Sequence, residues 1–163
     1  MNLESRLIFL IIIVWFVFIL ATCHARLGDT PTQIAIRYGA PVKLAGTFAE
    51  TPTGGAYSTN GFKITVAFDA SGHSTLEVFS HPIEEWHILP PEITGIELTG
   101  ILSANAGTNT WKNISHHYWQ RSDGQAYATY DGISRELIVC TKAWYDASTR
   151  RQQRDEQKNI GGF

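Results

Sequence analysis

The chain has 163 residues, 44% of them apolar and 12% aromatic, with a formal charge of −2. That balance excludes a disordered or fibrous chain, and without a basic footprint there is no electrostatic case for nucleic acid. No acidic tail or Lys/Arg block points to a polyelectrolyte partner.

The first element is LIFLIIIVWFVFILA, an unbroken apolar run from Leu7 to Ala21. It is short for a spanning helix and suits a signal-peptide core. Arg6 precedes it, although Glu4 weakens the usual positive flank. Cys23 and Ala25 follow as small residues at an A-x-A-type cleavage site. Residues 1–25 are therefore predicted to be a cleaved signal peptide, and the chain is expected to be periplasmic or secreted. Two alternatives stay open: LATC partly resembles the bacterial lipoprotein box, which makes Cys23 a lipid anchor, or the run is retained as a membrane anchor. Intact mass of the exported protein separates the three, and membrane contact is expected by no other route. Cleavage leaves Cys140 alone, so an intramolecular disulfide is excluded and the core must hold the fold. About 138 residues remain, enough for one good core.

The first half is predicted to span 26–81. In GDTPTQIAIRYGAP, Thr30 is an N-cap, Pro31 takes the first helical position and Gln33 completes a capping box. Gly39 and Pro41 stop the helix. About eight residues are marginal alone, so the Ile34/Tyr38 face must dock onto a sheet. VKLAGTFA (Val42 to Ala49) alternates as a strand; the Thr/Gly/Ser-rich stretch after it, with TGG at Thr53, is expected to be a loop. GFKITVAFD places Phe62, Ile64, Val66 and Phe68 on one face. TLEVFS places Leu76 and Val78 together, with Phe68 expected opposite Leu76 and Val66 opposite Val78. A helix and a three-stranded meander result.

The second half, 82–145, repeats the plan. HPIEEWHILPP is a connector. PEITGIELTGILSANAG carries Ile93, Ile96, Gly100, Ile101 and Ala104 near helical spacing, from Pro91 to Gly107. TWKNIS, HHYWQR, QAYATYD and RELIVCTKAW read as strands. SDGQ signals a type I′ hairpin that sets Trp119 opposite Ala128 and Arg121 opposite Ala126, with Tyr118 and Tyr127 on the other face. Residues 146–163 are a polar tail without an apolar stripe. The expected fold is α+β: two successive helix-plus-antiparallel-meander units, the helices packed on one sheet face.

LGDTPTQIAIRYGAPV resembles the opening of an uncharacterised group of exported bacterial proteins with an LGET-type segment and an RYG-P turn. The resemblance extends through LSANAGTNTW, the SDG hairpin and LIV. More distantly, the pattern is similar to the BamE (SmpA/OmlA)-type outer-membrane-assembly lipoproteins, and tandem units of this shape occur in β-lactamase-inhibitor proteins. The larger group implies no established activity; the lipoprotein and inhibitor resemblances imply a protein-binding scaffold, without carrying over any contact residue.

The chemistry-bearing residues are sparse. His116 and His117, adjacent in a predicted strand, point to opposite faces and are ill placed to share one ion. His81 and His87 flank Glu84 and Glu85 without ligand spacing, so no metal and no cofactor is expected. Cys140 lies in LIVC, a buried-type strand where a thiol behaves as a small hydrophobe. There is no G-x-S-x-G elbow and no P-loop. Asp123 and Asp131 flank glycines as turn residues, and NIS at Asn113 is a glycosylation acceptor only in a glycosylating host. What remains is aromatic. Trp111, Tyr118 and Tyr127 are the candidate binding residues, with Trp86 and Trp119 nearby. The preferred reading is an exported non-enzymatic scaffold that binds another protein or envelope component through its sheet face. The alternatives are a small periplasmic enzyme using His116 or His117 with Asp131 or Cys140, and a carrier of a small apolar ligand. Partner identity and oligomeric state are left open.

Overall fold

The computed structural model describes residues 27–45, 53–85 and 87–160. Residues 1–25 with Cys23, the end of the first predicted strand (46–49) and Trp86 lie outside the described residues. The protein is α+β, as expected. Helix α1 (Pro31–Tyr38) precedes strands β1 (Lys43–Ala45), β2 (Thr53–Thr59), β3 (Phe62–Phe68) and β4 (Ser74–Ser80). Helix α2 (Gly95–Ala106) precedes β5 (Trp111–Ser115), β6 (Tyr118–Arg121), β7 (Ala126–Asp131) and β8 (Glu136–Thr141). Helix α3 (Lys142–Ile160) closes the described chain. All eight strands form one antiparallel sheet in the order β1-β2-β3-β4-β8-β7-β6-β5. The two helix-plus-meander halves meet where β4 pairs with β8, from Leu76↔Cys140 to Phe79↔Leu137.

The first meander has four strands rather than three, because the Thr/Gly/Ser-rich stretch expected as a loop is β2. Asn60 (φ 51°) and Gly61 (φ 77°) supply the two positive φ angles a type I′ turn demands and set Thr59 opposite Phe62. Gly55 makes room in that strand: a Cβ there would stand 3.0 Å from the Tyr57 ring.

α1 forms for the expected reasons. Thr30 Oγ1 accepts from the Gln33 amide, the Thr30 amide donates to Gln33 Oε1 at 2.8 Å, and Gly39 at φ 87° ends the helix. Ile34 is fully buried and Tyr38 is 4% exposed. Each such side chain contributes about 1.5–3 kcal/mol on burial, which a helix of this length requires. Polar bonds fix its position. Tyr38 OH donates to Glu77 Oε2 at 2.7 Å, Arg37 pairs with Asp29 at 2.7 Å, and Ser74 Oγ accepts from the amides of Gly28 and Asp29.

Glu77 faces α1 because the β3–β4 register differs by one residue from the expected one. Val66 pairs with Glu77, Ala67 with Leu76 and Thr65 with Val78, with an irregularity between Ala67 and Phe68. The turn explains the slip. Asp69 Oδ1 accepts from the amides of Ser71 and His73, and the Asp69 amide donates to His73 O, which tightens the loop. The His73 amide bond, more than any other contact, holds the Asp69 carboxyl below its ordinary range. Leu76 and Val78 therefore leave the face where Ile64, Val66 and Phe68 are buried under α1 and α2.

α2 starts at Gly95, four residues after Pro91, because Thr94 and Glu97 form a second capping box that the sequence carries as T-x-x-E. Its buried stripe is Ile101, Leu102, Asn105 and Ala106; Ile96 is 88% exposed, so the Ile96/Gly100/Ala104 stripe is replaced by one rotated toward Leu102. Thr94→Ala is expected to lower stability by about 1 kcal/mol, read as a shift in the urea midpoint at unchanged slope.

α1 and α2 share one sheet face, as expected, while α3 takes the other. Trp144 and Tyr145 pack there against Ala67, Leu76 and Cys140, which gives the displaced Leu76 its cover. The strand expected to run through Trp144 ends at Thr141, where α3 begins, and from Arg150 to Asn159 that helix is exposed. No helix among the described residues is long and apolar enough to cross a membrane.

Candidate functional site

The β6–β7 hairpin positions the aromatic candidates. Its register sets Trp119 opposite Ala128, as expected, and Gln120 opposite Tyr127. The turn has a positive φ only at Gly124, whose amide donates to Arg121 O at 2.8 Å, so it is not type I′. Side-chain alternation then sends Trp119 and Ala128 toward α2, and Tyr118 and Tyr127 to the far face.

On that far face Tyr118 and Tyr127 stack, with ring centroids 5.8 Å apart and planes 18° apart. Tyr145 from α3 tilts over both, at 4.7 Å from Tyr127 and 6.1 Å from Tyr118. Tyr127 OH accepts from Gln120 Nε2 at 3.1 Å. Burial first, and then a hydrogen bond with Tyr145, raise the Tyr118 phenol above its ordinary value. All three rings are half-buried. A tyrosine combines an apolar ring with a polar hydroxyl, the combination that suits aromatic residues to interfaces. Cys140 lies beneath them, directly opposite Tyr127 in β8, and is free and buried. Burial pushes its thiol up to about 12.

Trp111 does not join this group. It lies on the α2 side of the sheet, where its Nε1 donates to Leu102 O at 2.7 Å. With Trp119 it walls an open groove of about 540 Å³ under α2, floored by Leu98, Leu102 and Ala106. A second open cleft of about 350 Å³ separates α1 from α2 over Tyr38, Ile64 and Phe79.

His116 and His117 are not in a strand. They form the β5–β6 turn, and His117 at φ 59° swings back so that the two rings stack at 3.7 Å. The ring of His117 also meets Tyr130 edge-on at 5.3 Å. The expectation that the pair diverges to opposite faces is thus corrected: alternation applies within a strand and fails at its turn. Asp131 caps the next turn, its Oδ1 accepting from the Ile133 amide, the contact that chiefly holds its carboxyl below the ordinary range. His81 stacks on Phe62 and lies 3.4 Å from Glu97, and His87 lies 3.5 Å from Glu84. Among the described residues no three His, Cys, Asp or Glu side chains gather as a metal group. Asn113 of the NIS triplet is exposed in β5.

Sequence reasoning missed Tyr145 and Glu77. Tyr145 sits at the boundary of the polar tail, and only a covering helix makes it part of an aromatic cluster. For Glu77 the signal was its place between Leu76 and Val78, but the wrong register hid which side was inward.

No family model and no curated protein matches the chain. Among solved structures, the chain is similar to a cysteine-rich secretory protein from Staphylococcus aureus subsp. aureus Mu50. The two share 11% identity at a TM-score of 0.40, over 73% of this chain and 46% of that one. The chain thus spans about half the length of that protein.

Proposed function

We propose that this chain is an exported, non-enzymatic scaffold that binds another protein or envelope component through the far face of its sheet. The observation that carries the reading is the half-buried Tyr118–Tyr127–Tyr145 cluster on β6, β7 and α3. Stacked tyrosines lose little conformational freedom on binding, and each supplies a large contact area with a polar rim. The apolar run at residues 7–21 supports export, with cleavage after Ala25 preferred over acylation at Cys23 or retention. The enzyme reading is weaker because Cys140 is buried under Tyr127, away from the β5–β6 turn that holds His116 and His117, and because Asp131, which lies beside that turn, spends its Oδ1 on the Ile133 amide. The carrier reading rests on the open groove beside Trp111 and Trp119.

The test is partner recovery followed by binding with the purified partner. Tyr118→Ala/Tyr127→Ala is expected to weaken that binding by at least tenfold, while circular dichroism shows the fold retained. A strictly monomeric protein that recovers nothing from an envelope extract, or a partner indifferent to both tyrosines, overturns the reading. Quenching of tryptophan fluorescence by a small apolar ligand, lost in Trp111→Ala, favours the carrier instead.

A further inference from the structure

Most of the exposed large apolar side chains among the described residues, Ile36 and Val42 apart, collect at one end of the sheet. Strand directions bring the Asn60–Gly61 turn, the 81–92 loop, the His116–His117 turn and the β7–β8 turn to that end. α2 begins there too, its Glu97 lying 3.4 Å from His81. Ile83, Ile88, Leu89, Ile96 and Ile133 belong to these segments and Ile114 to the adjoining end of β5; Ile88 is 95% and Ile133 84% exposed. Arg135 ties two of the segments together: its Nη1 donates to Pro90 O at 2.9 Å and its Nη2 lies 3.9 Å from Glu92. A single exposed isoleucine needs no explanation, but five with a leucine at one end do.

The surrounding charges select the occupant. With the Arg135–Glu92 pair set aside, Glu84, Glu85 and Asp131 are exposed at this end against Lys63. An anionic lipid surface would be repelled by such a rim. A second copy docking through the same patch would set carboxylates against carboxylates. We propose that this end of the sheet docks a partner protein whose contact surface is apolar and bordered by lysine and arginine. The proposal rests on the reading that the chain works by binding protein, but it uses a surface separate from the tyrosine face.

The test places the photo-crosslinker benzoylphenylalanine at Ile88 or at Ile133 in the full chain, in its host cells, with Ile36 on α1 as the control position. Both tip positions are expected to yield one adduct of the same mass, and Ile36 none. The adduct yield is expected to fall at least tenfold with Glu84→Lys/Glu85→Lys. The partner, identified from the adduct and purified, should bind Ile88→Asp/Ile133→Asp at least tenfold more weakly than the wild type, and more weakly still as salt rises. These substitutions lie on exposed positions, so folding is preserved and is verified by circular dichroism. Binding of the same partner to Tyr118→Ala/Tyr127→Ala separates the two surfaces: an unchanged affinity supports the tip even where the tyrosine face fails. An adduct of twice the chain mass, a lipid adduct, equal labelling from Ile36, no adduct, or indifference to charge reversal overturns the proposal.

Discussion

Phe79→Ala is expected to destabilise the protein by about 3–5 kcal/mol, the range for emptying a large aromatic from a packed core. Phe79 is 1% exposed in β4, the strand through which the two halves join. It lies opposite Ile64 on one side and Leu137 on the other, and it meets the Tyr38 ring edge-on at 6.5 Å. Losing it therefore loosens α1, the first meander and the second meander together. Since a domain of this size has only about 5–15 kcal/mol in hand, roughly a fifth or more of its stability is at stake. Urea unfolding is the measurement. Phe79→Leu keeps most of the volume and should cost under about 1.5 kcal/mol, while Ile96→Ala, at an exposed position, should stay within about 0.5 kcal/mol. A Phe79→Ala midpoint close to the wild type would show that the two halves are not coupled through this ring.

The second large effect is chemical. With its thiol pushed up to about 12 by burial, Cys140 carries roughly one part in ten thousand of thiolate at pH 8, about a thousandfold less than an ordinary cysteine. Iodoacetamide should therefore label the folded protein about a thousandfold more slowly than the urea-unfolded chain. The same shift makes stability depend on pH. The folded state keeps this proton above the pH at which the unfolded chain releases it. Between about pH 9 and 12 the unfolded chain thus binds fewer protons, and stability falls as pH rises, by up to about 1.4 kcal/mol per unit. Below that window the group contributes no pH dependence. Cys140→Ala should remove this part of the slope. Labelling of the native state faster than the unfolded chain would instead identify an activated thiol and restore the enzyme reading.

The parts of the fold legible from sequence are those set by neighbours a few residues away. The α1 capping box, its Ile34/Tyr38 docking face, the alternation of β3 and the pairing of Trp119 with Ala128 each follow from local spacing. β2 was equally local, carried by Asn60–Gly61, but its glycines disguised it as a loop. The cap of α2 was likewise present as Thr94 and Glu97.

The candidate sites were less legible, because each depends on which element covers which face. The sequence by itself determined an α+β chain of two short helices, each followed by an antiparallel meander, and it marked Tyr118 and Tyr127 as sharing a face. Tertiary structure alone decided that the two meanders merge through β4 and β8 and that α3 brings Tyr145 over those tyrosines. It alone turned Glu77 inward to Tyr38 and gathered six isoleucines and leucines at one end. The reason is physical: periodicity tells which side chains point together, but a one-residue slip at the Asp69 turn exchanges the faces, and only packing at long range chooses between them.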